Sequence, residues 1–429
     1  MLVNLRYLDI SRIRIERLPK GTLGALLNLQ CLGAGLVNGE EIIKLWALES
    51  LRCFFDDVDD FNKFVRVFSK RRNNPPYYEI SVHHENFAPS SPRGVDFLIH
   101  YCERSVHIMA RSHAIVSARG ESSGSGSGIC ILIPQDVWNL TAWFCDGMTN
   151  LSNMGPLEKL ERLDIRWWSN LQVLCGGQDE ELIDIHDSLA QTPTPLLFTS
   201  LRYLEINECP KLKYLFGHEP RFSLPHLQYI QICRCVEMVG MIVAATSPLP
   251  YQPPAFPSLE EIRVGWCDKM KRVVEFEWLP HFPNLRRLTV WDSENMEEII
   301  GGLSSYMSVE ETPINNTPSS SQSSISLPKL NSLYLYNLPQ LKSICEVPIT
   351  CNSMKYLEVV RCPKLNRIPL ELQLRDIEDL PYIEVEGEEK WKTLIWDHPN
   401  AQAIIQSHLL FKSSCCILKG WRNSRELLI

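Results

Sequence analysis

The sequence has no apolar run long enough to cross a bilayer. Its most apolar stretch, Met238 to Ala245, is eight residues, against roughly 20 for a spanning helix. A secretory pattern is missing too: the opening MLVNLRYLDI already carries Arg6 and Asp9, with no basic segment leading into an apolar one. Positive charge is in deficit, with 43 Lys and Arg against 51 Asp and Glu, a net charge of -8. That balance speaks against a general nucleic-acid or anionic-membrane binder. Cysteine is sparse and odd in number, 15 in 429 residues, far below the density of a disulfide-stapled scaffold. The expectation is a soluble protein of a reducing, cytoplasmic compartment, in which the sequons at Asn139, Asn150 and Asn315 arise by chance.

Catalytic and metal-binding patterns are also missing. There is no G-x-x-x-x-G-K-[ST], no H-E-x-x-H and no C-x-x-C. His83-His84, His107 and His113 lack a second ligand pair at zinc-like spacing and read as solvated loop histidines. Asp56 to Asp60 (DDVDD) has neither the Gly nor the terminal Glu of a calcium loop and reads as a charged surface loop. Gly124 to Gly128 lacks the lysine of a phosphate cradle and the order of a nucleophile elbow, so a linker is the better reading. Cys415-Cys416 has no polybasic neighbour to support lipidation. The expectation is no enzyme, no metal and no cofactor.

What is present is a repeat. Leu201-Arg-Tyr-Leu204-Glu-Ile206-Asn-Glu-Cys209-Pro-Lys-Leu212-Lys-Tyr-Leu215 serves as the template, and the same frame begins at Leu140, Leu160, Leu227, Leu259, Leu285, Leu330 and Met354. Offsets 0, +3, +5, +8, +11 and +14 give 48 positions, of which 47 are hydrophobic, against about 22 expected at 45% composition. Ser293 is the exception. Three residues ahead of the starts stand Val137, Leu157, Phe198, Leu224, Phe256, Phe282, Leu327 and Cys351. Pro225, Pro257, Pro283 and Pro328 follow four of them, where a strand has not yet begun to donate to a ladder.

The spacing has a physical meaning. Offsets +3 and +5 share one face of a short strand, and +4 and +6 share the other. Offsets +8, +11 and +14 have period three, which suits a tight 3-10-like return rather than a long amphipathic helix. One such unit cannot bury its apolar edge alone, but stacked units can. A length of 429 would suggest about three domains, and stacking replaces that estimate with one repeat array.

The pattern L-x-x-L-x-[IVL]-x-x-[CN]-x-x-[LM] is the leucine-rich-repeat signature, with Cys209, Cys235, Cys267 and Cys362 in the Asn/Cys slot. There a side chain bonds to the turn or fills space, and Cys is small and apolar enough for the second. Phe256 to Val273 (FPSLEEIRVGWCDKMKRV) and Leu327 to Cys345 (LPKLNSLYLYNLPQLKSIC) resemble the leucine-rich repeats of plant intracellular nucleotide-binding disease-resistance receptors of the coiled-coil class. Leu5 to Leu18-Pro19, Leu48 to Phe54 and the closing Glu388 to Trp396 resemble the same class. The resemblance covers roughly residues 1 to 411. It implies an α/β solenoid: a leucine-rich-repeat horseshoe with short parallel strands on the concave face and irregular or 3-10 segments on the convex face. Receptors of that class carry a nucleotide-binding module ahead of the repeats. No phosphate loop is found here, so its chemistry does not carry over and any nucleotide would bind the missing module. The chain reads as the C-terminal recognition half of such a receptor, from a truncated or partial sequence.

Frame spacings of 20, 41, 26, 32, 26, 45 and 24 residues locate the insertions, since typical repeats run about 20–29. The expected organisation is leucine-rich repeats over 1–54, an irregular segment of partly degenerate repeats over 55–135, and repeats over 136–380. The irregular segment holds a Ser/Gly linker at 117–128, with candidate strands at Tyr77 to Val82 and Cys102 to Ala110. The repeats carry loop insertions near 179–195 and 304–326, and a capping segment and tail fill 381–429. The two insertions have little to bury.

Function is expected on the solvent side of the strands, at offsets +2, +4 and +6. Large aromatics stand there: Tyr203, Tyr229 and Tyr356 at +2, Phe144 and Tyr334 at +4, Trp291 and Tyr336 at +6. Arg166, Glu205, Arg263 and Arg286 lie among them. Aromatics with arginine are the composition of protein-interface anchors, although aromatics also suit strands without any partner. The resemblance implies protein recognition in innate immunity, with a pathogen effector or a guarded host protein as ligand and the nucleotide-binding module of the same receptor as a second partner. A stand-alone adaptor such as a ubiquitin-ligase substrate receptor would need an attachment motif, which residues 1–10 do not offer. An extracellular receptor ectodomain is opposed by the missing signal and membrane span. A fragment without independent function is the remaining alternative.

Overall fold

In the computed structural model, the described residues are 2–11, 13, 17–70, 75–83, 104–110, 114–117, 129–151, 154–155, 157–175, 198–216, 224–242, 255–302, 325–371, 382–385 and 394–397. Most of the Ser/Gly linker, the insertion 179–195, residues 304–324, His84, His113 and Cys415-Cys416 lie outside them. The chain divides into two compact units. One comprises Met1–Leu171 with Asp179–Cys209, the other Gln172–Gln178 with Pro210–Ile429.

The first unit is built on a ladder of parallel strands: β1 (Tyr7–Asp9), β2 (Cys31–Leu36), β3 (Ser50–Phe55), β4 (Tyr77–His83), β5 (Ser105–Met109), β8 (Asn139–Trp143), β9 (Arg162–Arg166) and β11 (Tyr203–Asn207). Leu140, Leu163 and Leu204 stand side by side in register, and Ala142, Ile165 and Ile206 repeat the match two residues on. All six are buried. Period two in the sequence has become one apolar face shared by neighbouring strands. At β4 the register advances by two: Ile80 pairs with Cys53 on one side and Val106 on the other. A slip of two keeps every side chain on its own face, so the ladder crosses this irregular stretch with its core intact.

The register also corrects the frame. Leu140 pairs with Leu163, which is offset +3 of the repeat at Leu160. The preceding repeat therefore begins at Val137 rather than Leu140. The return half has period three, so sliding the frame by three lands hydrophobic residues on hydrophobic positions, and composition cannot distinguish the two settings. Phe144 moves with the frame, from offset +4 to offset +7.

Part of this unit departs from the tight returns expected. α1 (Gly39–Ile42) and α2 (Val58–Phe68) lie on either side of β3 in the chain, and β6 (Ile115–Ser117) pairs with β7 (Cys130–Leu132). The DDVDD segment is the start of α2, not a free loop: the Asp57 carboxylate accepts from the Asp60 amide at 3.0 Å, as an N-cap should. Asp60 in turn accepts from the Gly39 amide at 2.7 Å, and a Cβ at Gly39 would lie 2.9 Å from Asp60. Phe61, Phe64, Val65 and Phe68 form the buried stripe of α2 against Phe55 and Tyr78. Asn62, also buried, donates to the Cys130 carbonyl at 2.7 Å and accepts from the Leu132 amide at 2.8 Å, which ties α2 to β7.

The second unit carries a ladder of β13 (Tyr229–Cys233), β14 (Glu261–Gly265), β16 (Arg287–Trp291), β19 (Ser332–Tyr336), β22 (Tyr356–Val360) and β25 (Tyr382–Val385), all parallel. Shorter parallel sheets take up its return segments. β10 (Val173–Cys175) pairs with β12 (Tyr214–Phe216). β15 (Val274–Glu275), β17 (Glu298–Gly301), β20 (Ser343–Cys345), β23 (Arg367–Ile368) and β26 (Ile395–Trp396) form one row, and β18 (Ile325–Ser326), β21 (Ile349–Thr350) and β24 (Leu370–Glu371) another.

Two positions close each turn from Phe144 to Arg361. At offset +7 the amide makes the last rung to the next strand, as Phe144 does to the Arg166 carbonyl and Trp167 to Asn207, both at 3.0 Å. The chain then turns through a left-handed conformation. Phe144, Trp167, Glu208, Arg234, Trp266, Asp292, Asn337 and Arg361 all have φ between 47° and 59°, which is uncommon outside glycine. At offset +8 sits the buried Cys slot. The thiols of Cys145, Cys209, Cys235, Cys267 and Cys362 lie 3.4–3.6 Å from the carbonyl two residues back, so they both fill space and bond to the turn. Ser293 occupies the same slot, and its hydroxyl donates to the Trp291 carbonyl at 3.1 Å.

Candidate protein-recognition surface

The strand face opposite the core is lined by offsets +2, +4 and +6, and each unit presents its own. In the first unit, Arg166 lies on β9 and Tyr203 and Glu205 on β11. The Arg166 guanidinium is held by Asp164 at 2.9 Å and stands 4.0 Å from Glu205. The Arg162 guanidinium sits 4.4 Å over the Tyr203 ring and 3.5 Å from Glu205. Alternating residues on adjacent strands thus meet as cross-strand ion pairs and a cation–π contact. His83 and His107 belong to β4 and β5 on this sheet, which corrects their reading as loop histidines. Burial lowers the pKa of both, and each is opposed by carboxylates: Asp56 near His83, Glu79 and Asp164 near His107.

In the second unit, Tyr229, Arg263, Tyr334, Tyr336 and Tyr356 fall on β13, β14, β19 and β22, with Arg286 just ahead of β16. Arg263 contacts Glu261 at 2.5 Å and lies 5.6 Å over the Tyr229 ring. Glu261 holds a second guanidinium, that of Arg287, at 3.0 Å. Tyr334 and Tyr336 stack with centroids 6.4 Å apart, and the Tyr336 hydroxyl bonds to Glu358. Tyr356 is 46% exposed. The Arg286 side chain is 53% exposed, with Glu260 at 3.8 Å.

Two expected surface residues are placed differently. Trp291 is 7% exposed, so it is not available as an interface anchor. Its partner in the ladder is Gly265, where a Cβ would run into the Trp291 indole. The missing side chain leaves a slot, and the indole lies in it. Phe144 stands at the turn instead of on the strand, with its ring stacked on Trp167 at 4.9 Å and 7°. The sequence reading missed offset +7 altogether. That position brings Trp167, Arg234 and Trp266 to the sheet edge, and Arg234 lies 5.2 Å over the Trp266 ring. The signal was legible as the residue directly before the Cys slot, but an alternation rule assigns it no face.

Similarity to known proteins agrees with this geometry. Residues 241–388 match the family of RPS2-like plant disease resistance proteins in their leucine-rich repeats. That segment holds β14, β16, β19, β22 and most of the second unit's return strands. This part of the chain is thus similar to the leucine-rich repeats of plant disease resistance proteins. The chain is 26% identical over 269 residues to the probable disease resistance protein At1g12290 of Arabidopsis thaliana, covering 60% of this chain and 28% of that protein. It is 30% identical over 142 residues to the disease resistance protein SUMM2, covering 33% and 14%, and 30% identical over 245 residues to the disease resistance protein UNI, covering 55% and 24%, both from the same plant. The chain therefore spans less than a third of the length of these relatives. Among the described residues no helix is long and apolar enough to cross a membrane, and no group of three or more His, Cys, Asp or Glu is placed to hold a metal ion.

Proposed function

We propose that these repeats are the protein-recognition part of a plant disease-resistance receptor acting in the cytoplasm, with a binding rather than a catalytic role. The parallel ladders are then turns of a leucine-rich-repeat solenoid, and their open faces take a pathogen effector or a guarded host protein. The observation that carries this is the second unit's face, where tyrosines and arginines stand on consecutive strands in contact with one another. Such side chains give large contact area for little ordering entropy.

The same reading includes docking of the receptor's own nucleotide-binding module, which holds it inactive. Val3, Leu27 and Trp46 occupy equivalent positions in three successive repeats of the first unit and are 40%, 57% and 71% exposed. Later repeats have Pro225, Pro257, Pro283 and Pro328 there. A ligand that favours the undocked state would release the switch by population shift. The test is to mix this chain with the nucleotide-binding module of a full-length relative and measure binding by calorimetry. Binding should weaken with Leu27→Ser and Trp46→Ser. For the open face, Arg286→Ala and Tyr334→Ala should weaken capture of a recognised effector. No binding by the parent chain would sink the docking claim, and no effect of the face variants would sink the assignment of that face.

A further inference from the structure

Offset +7 is left-handed from Phe144 to Arg361, and the residue types found there suit that conformation unequally. Asn337 and Asp292 suit that conformation, because a short polar side chain tolerates it. Phe144 and Trp167 do not: a bulky ring in the left-handed region works against the local backbone preference. Core packing does not account for them either, since both are only half-buried. Positions where local preference is overridden without burial in the core are where function is to be sought.

The two rings lie on neighbouring turns and stack at 4.9 Å and 7°. Trp143 meets Trp167 edge-on at 5.3 Å and 86°. Carboxylates bracket this ledge. Asp146, two residues beyond Phe144, accepts from the Ser169 amide at 2.6 Å, and Glu208 accepts from the Trp167 indole at 2.8 Å. The Arg166 guanidinium bonds to Asp164 and lies 5.5 Å over the Trp143 ring. Aromatic faces beside carboxylates attract cations, and a Lys or Arg side chain gains both the ring quadrupole and the charge.

We propose that the Phe144–Trp167 ledge, at the edge of β8 and β9, is a docking site for a basic segment of a protein partner, with a Lys or Arg side chain laid on the rings. This deepens the protein-recognition reading and rests on it. It concerns a turn row at the sheet edge, apart from the open face of the second unit.

The experiment is a calorimetric titration of the whole chain with a hexalysine peptide at low salt, with hexaglutamate as the opposite probe. Phe144→Asn and Trp167→Asn leave the net charge unchanged, so general attraction to an acidic protein is the same in parent and variants. The expected result is preference for hexalysine, weakened about tenfold in each variant, with a melting temperature unchanged or raised because Asn accepts the left-handed turn. Equal peptide binding by parent and variants, preference for hexaglutamate, or a lowered melting temperature in both variants would overturn the assignment, the last by showing that the rings serve stability. If the ledge fails while the chain still binds the nucleotide-binding module, only this inference falls; if both fail, the reading beneath it falls too.

Discussion

The Ser293 hydroxyl accepts the Cys267 amide at 3.3 Å, reaching from one buried turn slot to the next. Ser293 was the one position that broke the hydrophobic frame, and this bond is its reason. The Cys267 amide is buried, and Ser293 is its bonding partner from the next repeat. Ser293→Ala should therefore cost about 1–2 kcal/mol, the penalty of a buried donor left unmade. Urea titration followed by tryptophan fluorescence checks it, and an unchanged midpoint would refute the account.

Asn62 makes a comparable link over a much longer sequence separation. Its amide joins α2 to both backbone groups it meets on β7. Asn62→Ala strands a carbonyl and an N–H together, so the expected loss is about 2–4 kcal/mol. Hydrogen exchange offers a local readout: the Leu132 amide should lose protection while amides on β19 keep theirs.

Gly265 and Trp291 form a matched pair, one supplying the slot and the other filling it. Gly265→Ala should destabilise by about 1–3 kcal/mol through overpacking. Combining it with Trp291→Leu should recover part of that loss, because the smaller side chain makes room. Additive effects in the double-mutant cycle would mean that the two residues do not share the space.

Two half-buried histidines of the first unit give stability a pH dependence of definite sign. His83 and His107 have native pKa values below their ordinary 6.5, chiefly because burial disfavours the charged form. Below that value the unfolded chain binds protons that the native state resists. Stability is therefore fully present above about pH 6.5, falls as the pH drops, and levels off once the native groups also protonate. His281 in the second unit has the same sign and the same cause. Melting curves between pH 7.5 and 5 should show the fall, and His107→Gln should flatten it. An unchanged slope in that variant would remove His107 from the explanation.

Much of this architecture was readable before any coordinates. Offsets +3 and +5 marked the buried strand face, and the buried slot at offset +8, most often Cys, marked the turn. Both are local consequences of chain geometry: alternation places side chains on faces, and stacked repeats bury whatever faces inward. Tyr203, Tyr229, Tyr334 and Tyr356 were placed on the open face by the same rule.

The sequence by itself determined that strands recur, which face of each is apolar, and which residue types recur at the turns. Only the tertiary structure decided the frame at Val137, because a return with period three looks the same when slid by three. It alone decided that Trp291 is buried, because that depends on which residue stands beside it one strand away, and the neighbour is a glycine. It also decided that Phe144 and Trp167 meet. A left-handed turn after the last rung sends both rings to one edge, and nothing in the spacing of a single repeat reveals that they stack.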